Sequence, residues 1–218
     1  MKLLVLGAAG QLGSTFADAA DHEIVGLTRA DVDVTDGAAL VDAAHAHRPD
    51  AIVNCSAYNN VDGAEDDAAT ALAVNALAVR AMASAAASVG ATLVHYSTDF
   101  VFDGRASEPY REEDRACPVS VYGCSKLLGE WFAQDAPRWY VLRVESLFGG
   151  RQARSSVDKI AAALREGRQT PVFADRIVTP SYVDDVREAT LDLLARDTPS
   201  GVFHCVNSGQ GTWADVGR

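Results

Sequence analysis

Two side chains near the middle of the chain could do proton chemistry together: Tyr122 and Lys126, in the stretch Tyr122-Gly-Cys-Ser-Lys126. Four residues apart on a helix, they share a face and can serve one site. Each alone is idle at neutral pH, because a phenol and an ammonium both titrate near ~10. An ammonium held beside the phenol favours phenolate and lowers its pKa, which would make Tyr122 a proton donor or acceptor. The same spacing also describes an ordinary surface pair. What else the chain brings to this helix therefore decides the matter.

The elements that must position the pair begin at the N-terminus. Lys2–Leu6 is a short unbroken apolar run, as in a strand buried on both faces. It leads into Gly7-Ala-Ala-Gly10-Gln-Leu-Gly13 and a helical stretch to about Ala20. Strand, glycine-rich turn and helix together describe a phosphate-binding βα unit. Gly7 permits the tight turn, Gly10 lets backbone approach a pyrophosphate, and Gly13 allows close packing, while the helix N-terminus offers N–H groups to the anion. The spacing is GxxGxxG rather than the commoner GxGxxG.

Glu23–Leu27 reads as the second strand, followed by Thr28-Arg29 where a NAD site often places an acid on the ribose. Arg29 could accept a 2′-phosphate, which leans towards NADP(H); a solvated loop arginine is the alternative. Asp33 suits the adenine end of the cofactor, and Thr35 or Asp36 can cap a helix from Ala38 to His47. A third strand, Ala51–Cys55, ends in the small residues expected at a ligand crevice. An Ala-rich helix from about Ala64 to Val89, closed by Gly90, contains Asn75, which either supports a site or is simply exposed.

Thr92–Tyr96 is the fourth strand, with Ser97-Thr98-Asp99 at its C-terminal end, the edge where ligands lie in such sheets. The long charged loop from Phe100 to Pro118 is a lid or a disordered insert, and the Tyr122 helix follows. Arg138–Arg143 is a fifth strand, Ser155–Glu166 a helix ended by Gly167, and Tyr182–Ala195 and Val202–Val206 a further helix and strand. The fold expected is α/β, a doubly wound Rossmann-type parallel sheet. It comprises residues 1–143 and 181–206, with a small substrate lobe, either reduced or truncated, at 144–180 and 207–218. His95 reads as a core histidine and Cys124 as a packing residue.

Composition narrows the function further. A net charge of −11 argues against nucleic acid as a partner. No window reads as the long unbroken apolar run of a membrane helix, so a membrane partner is not expected. Four cysteines without a CxxC pair suggest free thiols in a reducing cytoplasm. Lysine is confined to Lys2, Lys126 and Lys159, a bias that suits a high-salt cytoplasm or GC-rich coding. No residues are assigned to a metal.

Taken together, eight ordered motifs resemble the extended short-chain dehydrogenase/reductase superfamily, and within it the dTDP-4-dehydrorhamnose reductase family. They are Gly7–Gly13 with its Gln-Leu, Asp33-Val-Thr35, Asn54-Cys-Ser-Ala-Tyr58, Val61-Asp62-Gly-Ala-Glu65 and Ala73-Val-Asn75. Ser97-Thr98-Asp99-Phe-Val-Phe-Asp103-Gly104, Val121-Tyr122-Gly-Cys-Ser-Lys126-Leu-Leu-Gly-Glu130 and Thr179-Pro-Ser-Tyr-Val-Asp184-Asp185 complete the set.

The resemblance implies a triad of Thr98, Tyr122 and Lys126. Tyr122 would protonate the C4 oxygen of a nucleotide-linked 4-keto-6-deoxy sugar as hydride reaches C4. Lys126 would hold the nicotinamide ribose and keep the Tyr pKa low, and Thr98 would align the carbonyl. NADPH is the implied cofactor, with NADH as the alternative. Its contacts would be Gly7, Gly10, Gln11, Leu12 and Gly13, then Arg29, Asp33 and Val34. Cys55, Ser56, Ala57 and Tyr58, with Asn75 and Ser97, would complete them beside Tyr122 and Lys126. Asp99, Phe100, Glu145 and Ser146 would face the substrate.

The family usually carries Thr-Ser-Trp after the fifth strand, whereas this chain has Val144-Glu145-Ser146, trading an aromatic platform for a carboxylate. A nucleotide-sugar epimerase or dehydratase would use the same Tyr/Lys pair, although Phe100 stands where a dehydratase is expected to have Glu. A non-catalytic regulatory subunit would keep the fold but not need the triad. A homodimer is compatible with each reading.

Overall fold

The computed structural model describes residues 1–152, 154–196 and 198–218. Its architecture follows from the first strand, β1 (Lys2–Leu6), where alternate side chains leave in opposite directions. Leu4 and Leu6 enter one core with Ile52, Leu93 and Val141. Leu3 and Val5 enter another with Val53, Val94, Tyr140 and Leu142. A strand apolar at four consecutive positions, Leu3 to Leu6, can only be satisfied this way, with layers on both faces.

In chain order the remaining regular elements are β2 (Glu23–Leu27), α1 (Gly37–His47), β3 (Ala51–Asn54), α2 (Gly63–Asp66), α3 (Ala68–Leu72) and α4 (Ala78–Val89). They continue as β4 (Thr92–Thr98), α5 (Val121–Ala133), β5 (Trp139–Val144), α6 (Ser156–Arg165) and β6 (Ile177–Val178). Last come α7 (Val183–Ala195), β7 (Gly201–His204), β8 (Gly211–Thr212) and α8 (Trp213–Val216). Six strands form one sheet in the order β2-β1-β3-β4-β5-β7, every pair parallel. The order reverses between β1 and β3, which opens a crevice at their C-terminal ends. This is the doubly wound Rossmann-type sheet expected. β6 and β8 form a separate antiparallel pair.

Several local expectations change. The segment after the glycine turn is a short 3₁₀ helix, Gly13–Asp18, not a helix to Ala20. Ser14 and Thr15 turn their hydroxyls back onto the carbonyls of Gln11 and Leu12, competing with the helical ladder. The long Ala-rich helix is interrupted as well. α2 is a single turn, Asp67 breaks it and caps Thr70, and a π-helical turn at Ala73–Leu77 joins α3 to α4. The continuous stretch Ala68–Val89, 22 residues of mean hydropathy 1.5, is long and apolar enough to cross a membrane, contrary to the expectation. Its Val79, Met82, Ala83 and Ala86 are buried on the sheet, which accounts for that composition.

Asp36, rather than Thr35, caps α1 by accepting from Ala38 and Ala39. The 100–118 loop is packed rather than disordered. Cys117 donates to the Val101 carbonyl at 2.8 Å, Phe102 stacks on Tyr110 at 4.2 Å, and Glu112 accepts the His204 N–H at 2.9 Å. Cys124 is exposed instead of packing, and all four cysteines are free thiols.

A buried ion pair locks the helix of interest to the sheet. Glu130 on α5 takes two bonds of 2.8 Å from the Arg143 guanidinium of β5, and a third of 2.6 Å from the Ser97 hydroxyl. Truncating one partner strands a buried charge, whereas removing both does not. Glu130→Ala should lower unfolding stability by about 3–5 kcal/mol in chemical denaturation. A Glu130→Leu/Arg143→Met double variant should lose clearly less.

Candidate active site

The glycine turn closes tightly on itself and on the next loop. Gly7 has φ +76°, and a Cβ there would lie 2.8 Å from the Ser56 nitrogen. A Cβ on Gly13 would stand 2.3 Å from the Gly7 carbonyl oxygen. Side chains are thus excluded from the floor of the β1/β3 crevice, leaving backbone at the place where a pyrophosphate would approach. The donor set fits a dinucleotide, although the short 3₁₀ helix replaces the longer helix expected behind the turn.

Loop positions around the crevice are fixed by side chains from elsewhere. Gln11 donates to the Gly149 carbonyl at 3.1 Å, and Gln152 to the Ala9 carbonyl at 2.6 Å, so the segment after β5 lies over the glycine turn. Leu12 is a core residue beneath it. Asn54 accepts the Ser56 N–H and hydroxyl, and its amide meets His95 Nδ1 at 3.1 Å. Burial drives the His95 pKa well below its ordinary value, with the Lys126 charge adding to it. This neutral ring is the core histidine expected. Burial also pushes the Cys55 thiol far up, leaving it inert beside Ala57.

Asn75 is buried, and its two-sided amide explains why it lies in an apolar helix. It accepts the Tyr58 N–H at 2.9 Å, donates to the Tyr58 carbonyl at 3.1 Å and donates to the Ser125 hydroxyl at 3.0 Å. It therefore ties the loop after β3 to the helix carrying Tyr122 and Lys126.

At the rim, Asp33 Oδ1 accepts the Thr35 N–H and hydroxyl, and Val34 packs against the core beneath α1. The positive charge of Arg29 bears on Asp33, so the two lie together after β2.

Thr98, Tyr122 and Lys126 converge at the C-terminal end of β4, all three buried. The Thr98 hydroxyl donates to Asp99 Oδ1 at 2.8 Å and accepts the Phe100 N–H at 3.2 Å. Lys126 Nζ donates to the Tyr96 carbonyl at 2.5 Å. Phe100 meets the Tyr122 ring edge to face, centroids 5.6 Å apart. Ser97, expected among the cofactor contacts, spends its hydroxyl on Glu130.

The electrostatics depart from the expectation in one respect. The Tyr122 phenol is pushed up to about 12, by burial first and then by the Asp99 charge, with the nearby Thr98 hydroxyl opposing. The ammonium does not pull it down, because Lys126 is itself pushed down to about 8 by burial, Glu130 opposing. Such a phenol keeps its proton at neutral pH and so can act as a donor there.

Glu145, half-buried past the end of β5, is pushed up to about 7 by burial and then by Asp99, while the Thr179 N–H bond at 2.9 Å opposes. Asp99 is raised by burial as well. Ser146 adopts a left-handed φ of +46°, which turns the chain away from the sheet just beyond Glu145. Among the described residues no group of three or more His, Cys, Asp or Glu is arranged to hold a metal.

Sequence reasoning missed the Glu130–Arg143 pair and the role of Gln152. A charge four residues after Lys126 on an apolar helix face was the available signal for Glu130; none in the sequence pointed to Gln152.

Comparison with known proteins agrees with this geometry. The family model "RmlD substrate binding domain" matches residues 1–218. The dTDP-4-dehydrorhamnose reductase of Burkholderia thailandensis is 37% identical over 224 residues, covering 98% of this chain and 75% of the relative. A probable low-salt glycan biosynthesis reductase of Haloferax volcanii is 34% identical over 236 residues, covering 100% and 78% respectively. Among solved structures, dTDP-4-dehydrorhamnose reductase of Bacillus anthracis in complex with NADP superposes with a TM-score of 0.94. It has 30% identity, with 99% of this chain and 78% of that one covered. A chain matched by the family model from end to end, with relatives above 30% identity on the same sheet and crevice, belongs to the RmlD family of the extended short-chain dehydrogenase/reductases.

Proposed function

We propose that the protein is an NADPH-dependent reductase of a nucleotide-linked 4-keto-6-deoxy sugar, of the dTDP-4-dehydrorhamnose type. The observation that carries this reading is the burial of Thr98, Tyr122 and Lys126 together beside a side-chain-free glycine crevice. The names of the relatives support the substrate class, and the NADP in the Bacillus anthracis protein supports the cofactor.

In this reading the backbone of Gly7, Gly10 and Gly13, with Gln11 and Leu12, receives the pyrophosphate, and Arg29 meets the 2′-phosphate. Asp33 and Val34 flank the adenine side. The loop Cys55-Ser56-Ala57-Tyr58, held by Asn54 and Asn75, lines the path to the nicotinamide. When bound, NADPH supplies hydride to the sugar carbonyl carbon. Tyr122 gives its proton to the carbonyl oxygen, Thr98 orients that oxygen, and Lys126 hydrogen-bonds the ribose while its charge favours the phenolate left behind. Asp99, Phe100, Glu145 and Ser146 border the sugar. Residues 144–180 and 207–218 belong to the substrate lobe, and residues 1–143 and 181–206 to the nucleotide-binding domain. The enzyme would work in a reducing cytoplasm on a soluble nucleotide sugar.

The direct test offers NADPH and NADH separately with dTDP-4-dehydrorhamnose and follows the reduced-nicotinamide absorbance. Oxidation that requires the keto sugar is expected; cofactor binding with no turnover would refute the reading. Tyr122→Phe should leave NADPH binding nearly intact while slowing turnover by roughly 10²–10⁴-fold. Arg29→Ala should raise KM for NADPH far more than for NADH, and equal effects would remove Arg29 from the phosphate site.

Lys126 also makes a stability prediction. Its pKa is depressed on folding, so its contribution is most favourable above about 10.5 and is lost as pH falls through about 8. Lys126→Met should therefore be more stable than the natural protein at pH 7, with the gap closing between about 8 and 10.5. Thermal unfolding across that range checks the sign.

A further inference from the structure

His95 uses one ring nitrogen and leaves the other idle. It lies directly opposite Asn54 across β3 and β4, and both side chains are buried. The main-chain N–H of Ser56 can only donate, and it bonds Asn54 Oδ1 at 3.0 Å, joined there by the Ser56 hydroxyl at 2.6 Å. Asn54 Nδ2 is therefore the atom 3.1 Å from His95 Nδ1, and an amide NH2 only donates. So Nδ1 accepts, and the proton of the neutral ring sits on Nε2. That nitrogen is buried and has no hydrogen-bond partner among the described residues.

Such a ring is a poor choice for packing alone. A buried N–H without a partner is costly, and an apolar side chain would avoid the cost. What the imidazole supplies instead is an acceptor for Asn54 Nδ2. We propose that His95 is a positioning residue for the dinucleotide: its Nδ1 lone pair holds the Asn54 amide in the orientation that fixes Ser56 against Gly7. This rests on the cofactor reading above, and it assigns His95 no contact with the reacting atoms.

The path from the ring to the crevice is short and consists of hydrogen bonds and direct packing. A Cβ on Gly7 would lie 2.8 Å from the Ser56 nitrogen, and Cys55 donates to the Leu6 carbonyl at 2.9 Å. The loop after β3 therefore lies directly against the glycine turn. Asn75 holds the far end of that loop at Tyr58, through bonds of 2.9 and 3.1 Å. A Cβ on Gly129 would stand 2.3 Å from the Asn75 carbonyl oxygen and 3.0 Å from His95 Nε2, which sets the two anchors beside each other under α5. Burial, with the Lys126 charge second, keeps the ring neutral, so the acceptor is present at neutral pH.

Two substitutions separate positioning from packing. His95→Asn puts a carbonyl oxygen at the same place along the side chain as Nδ1, keeping the acceptor while emptying the space of the outer ring. His95→Leu fills that space better and removes the acceptor; His95→Phe gives the same comparison should the leucine variant not fold. NADPH is titrated into each cofactor-free protein and followed by nicotinamide fluorescence. It should bind His95→Leu about tenfold more weakly than the natural protein, and His95→Asn within about threefold of it. Hydrogen exchange at the Ser56 N–H, read without cofactor, should quicken in the leucine variant and not in the asparagine one. In an Asn54→Ala background, His95→Leu should bring no further loss of affinity. In steady state, KM for NADPH should rise in His95→Leu by a larger factor than kcat falls.

The ranking of the two variants decides the matter. Packing alone would make His95→Asn the weaker binder, since it leaves the larger void. That order, or equal affinities throughout, overturns the positioning role while leaving the cofactor reading intact. A full tenfold loss from His95→Leu in the Asn54→Ala background overturns it too, because the ring would then act by another route. No binding of NADPH or NADH by the natural protein would fell the cofactor reading, and the positioning role with it, whatever the exchange rates at Ser56.

Discussion

Helix α5 lies so close to its neighbours that two of its positions have no room for any side chain. A Cβ on Gly123 would stand 2.3 Å from the Phe100 carbonyl oxygen, and one on Gly129 2.3 Å from that of Asn75 and 3.0 Å from His95 Nε2. That approach sinks Lys126 and Glu130, charged residues one turn apart, into the protein. Buried charges persist only if paired and hydrogen-bonded. Glu130 finds Arg143 and Ser97, and Lys126 finds the Tyr96 carbonyl. The partners come from β4 and β5, so the electrostatic requirement also fixes the helix relative to the strand ends that carry Thr98, Asp99 and Glu145.

Close packing then sets the chemistry. Burial raises Tyr122 and lowers Lys126, moving the two away from the charged forms that would attract each other. The result is a phenol that carries its proton until a stronger local demand removes it. A developing alkoxide in the crevice is such a demand. The second consequence is isolation: the phenol is buried and its ring meets Phe100 edge to face.

The cofactor crevice obeys a related constraint at the other side of the sheet. Gly7 and Gly13 are required because backbone from three segments meets there. Asn54 and Asn75 hold the next loop through amides that bond on both sides, so that loop is rigid without secondary structure of its own. Two polar residues in apolar surroundings thus shape the crevice from behind.

Much of this was legible in the residues. Unbroken apolar runs announce strands buried on both faces, glycines spaced by three announce the turn, and Tyr122 with Lys126 on one helical face announces the site. These signals are local, and each follows from the period or conformational freedom of a short segment. Helix interruptions were less legible, since the break at Asp67 and the π-helical turn around Asn75 answer to the distant Tyr58 and Ser125. What only the tertiary structure decided are quantities that depend on depth and on residues far apart in the chain. Among them are the sign of the Tyr122 shift, the partner of Glu130, the segment lying over the glycine turn and the β4–β5 register that sets Asp99 and Glu145 at neighbouring strand ends. Burial and long-range charge are properties of the packed molecule, and a string of residues carries the groups but not the distances between them.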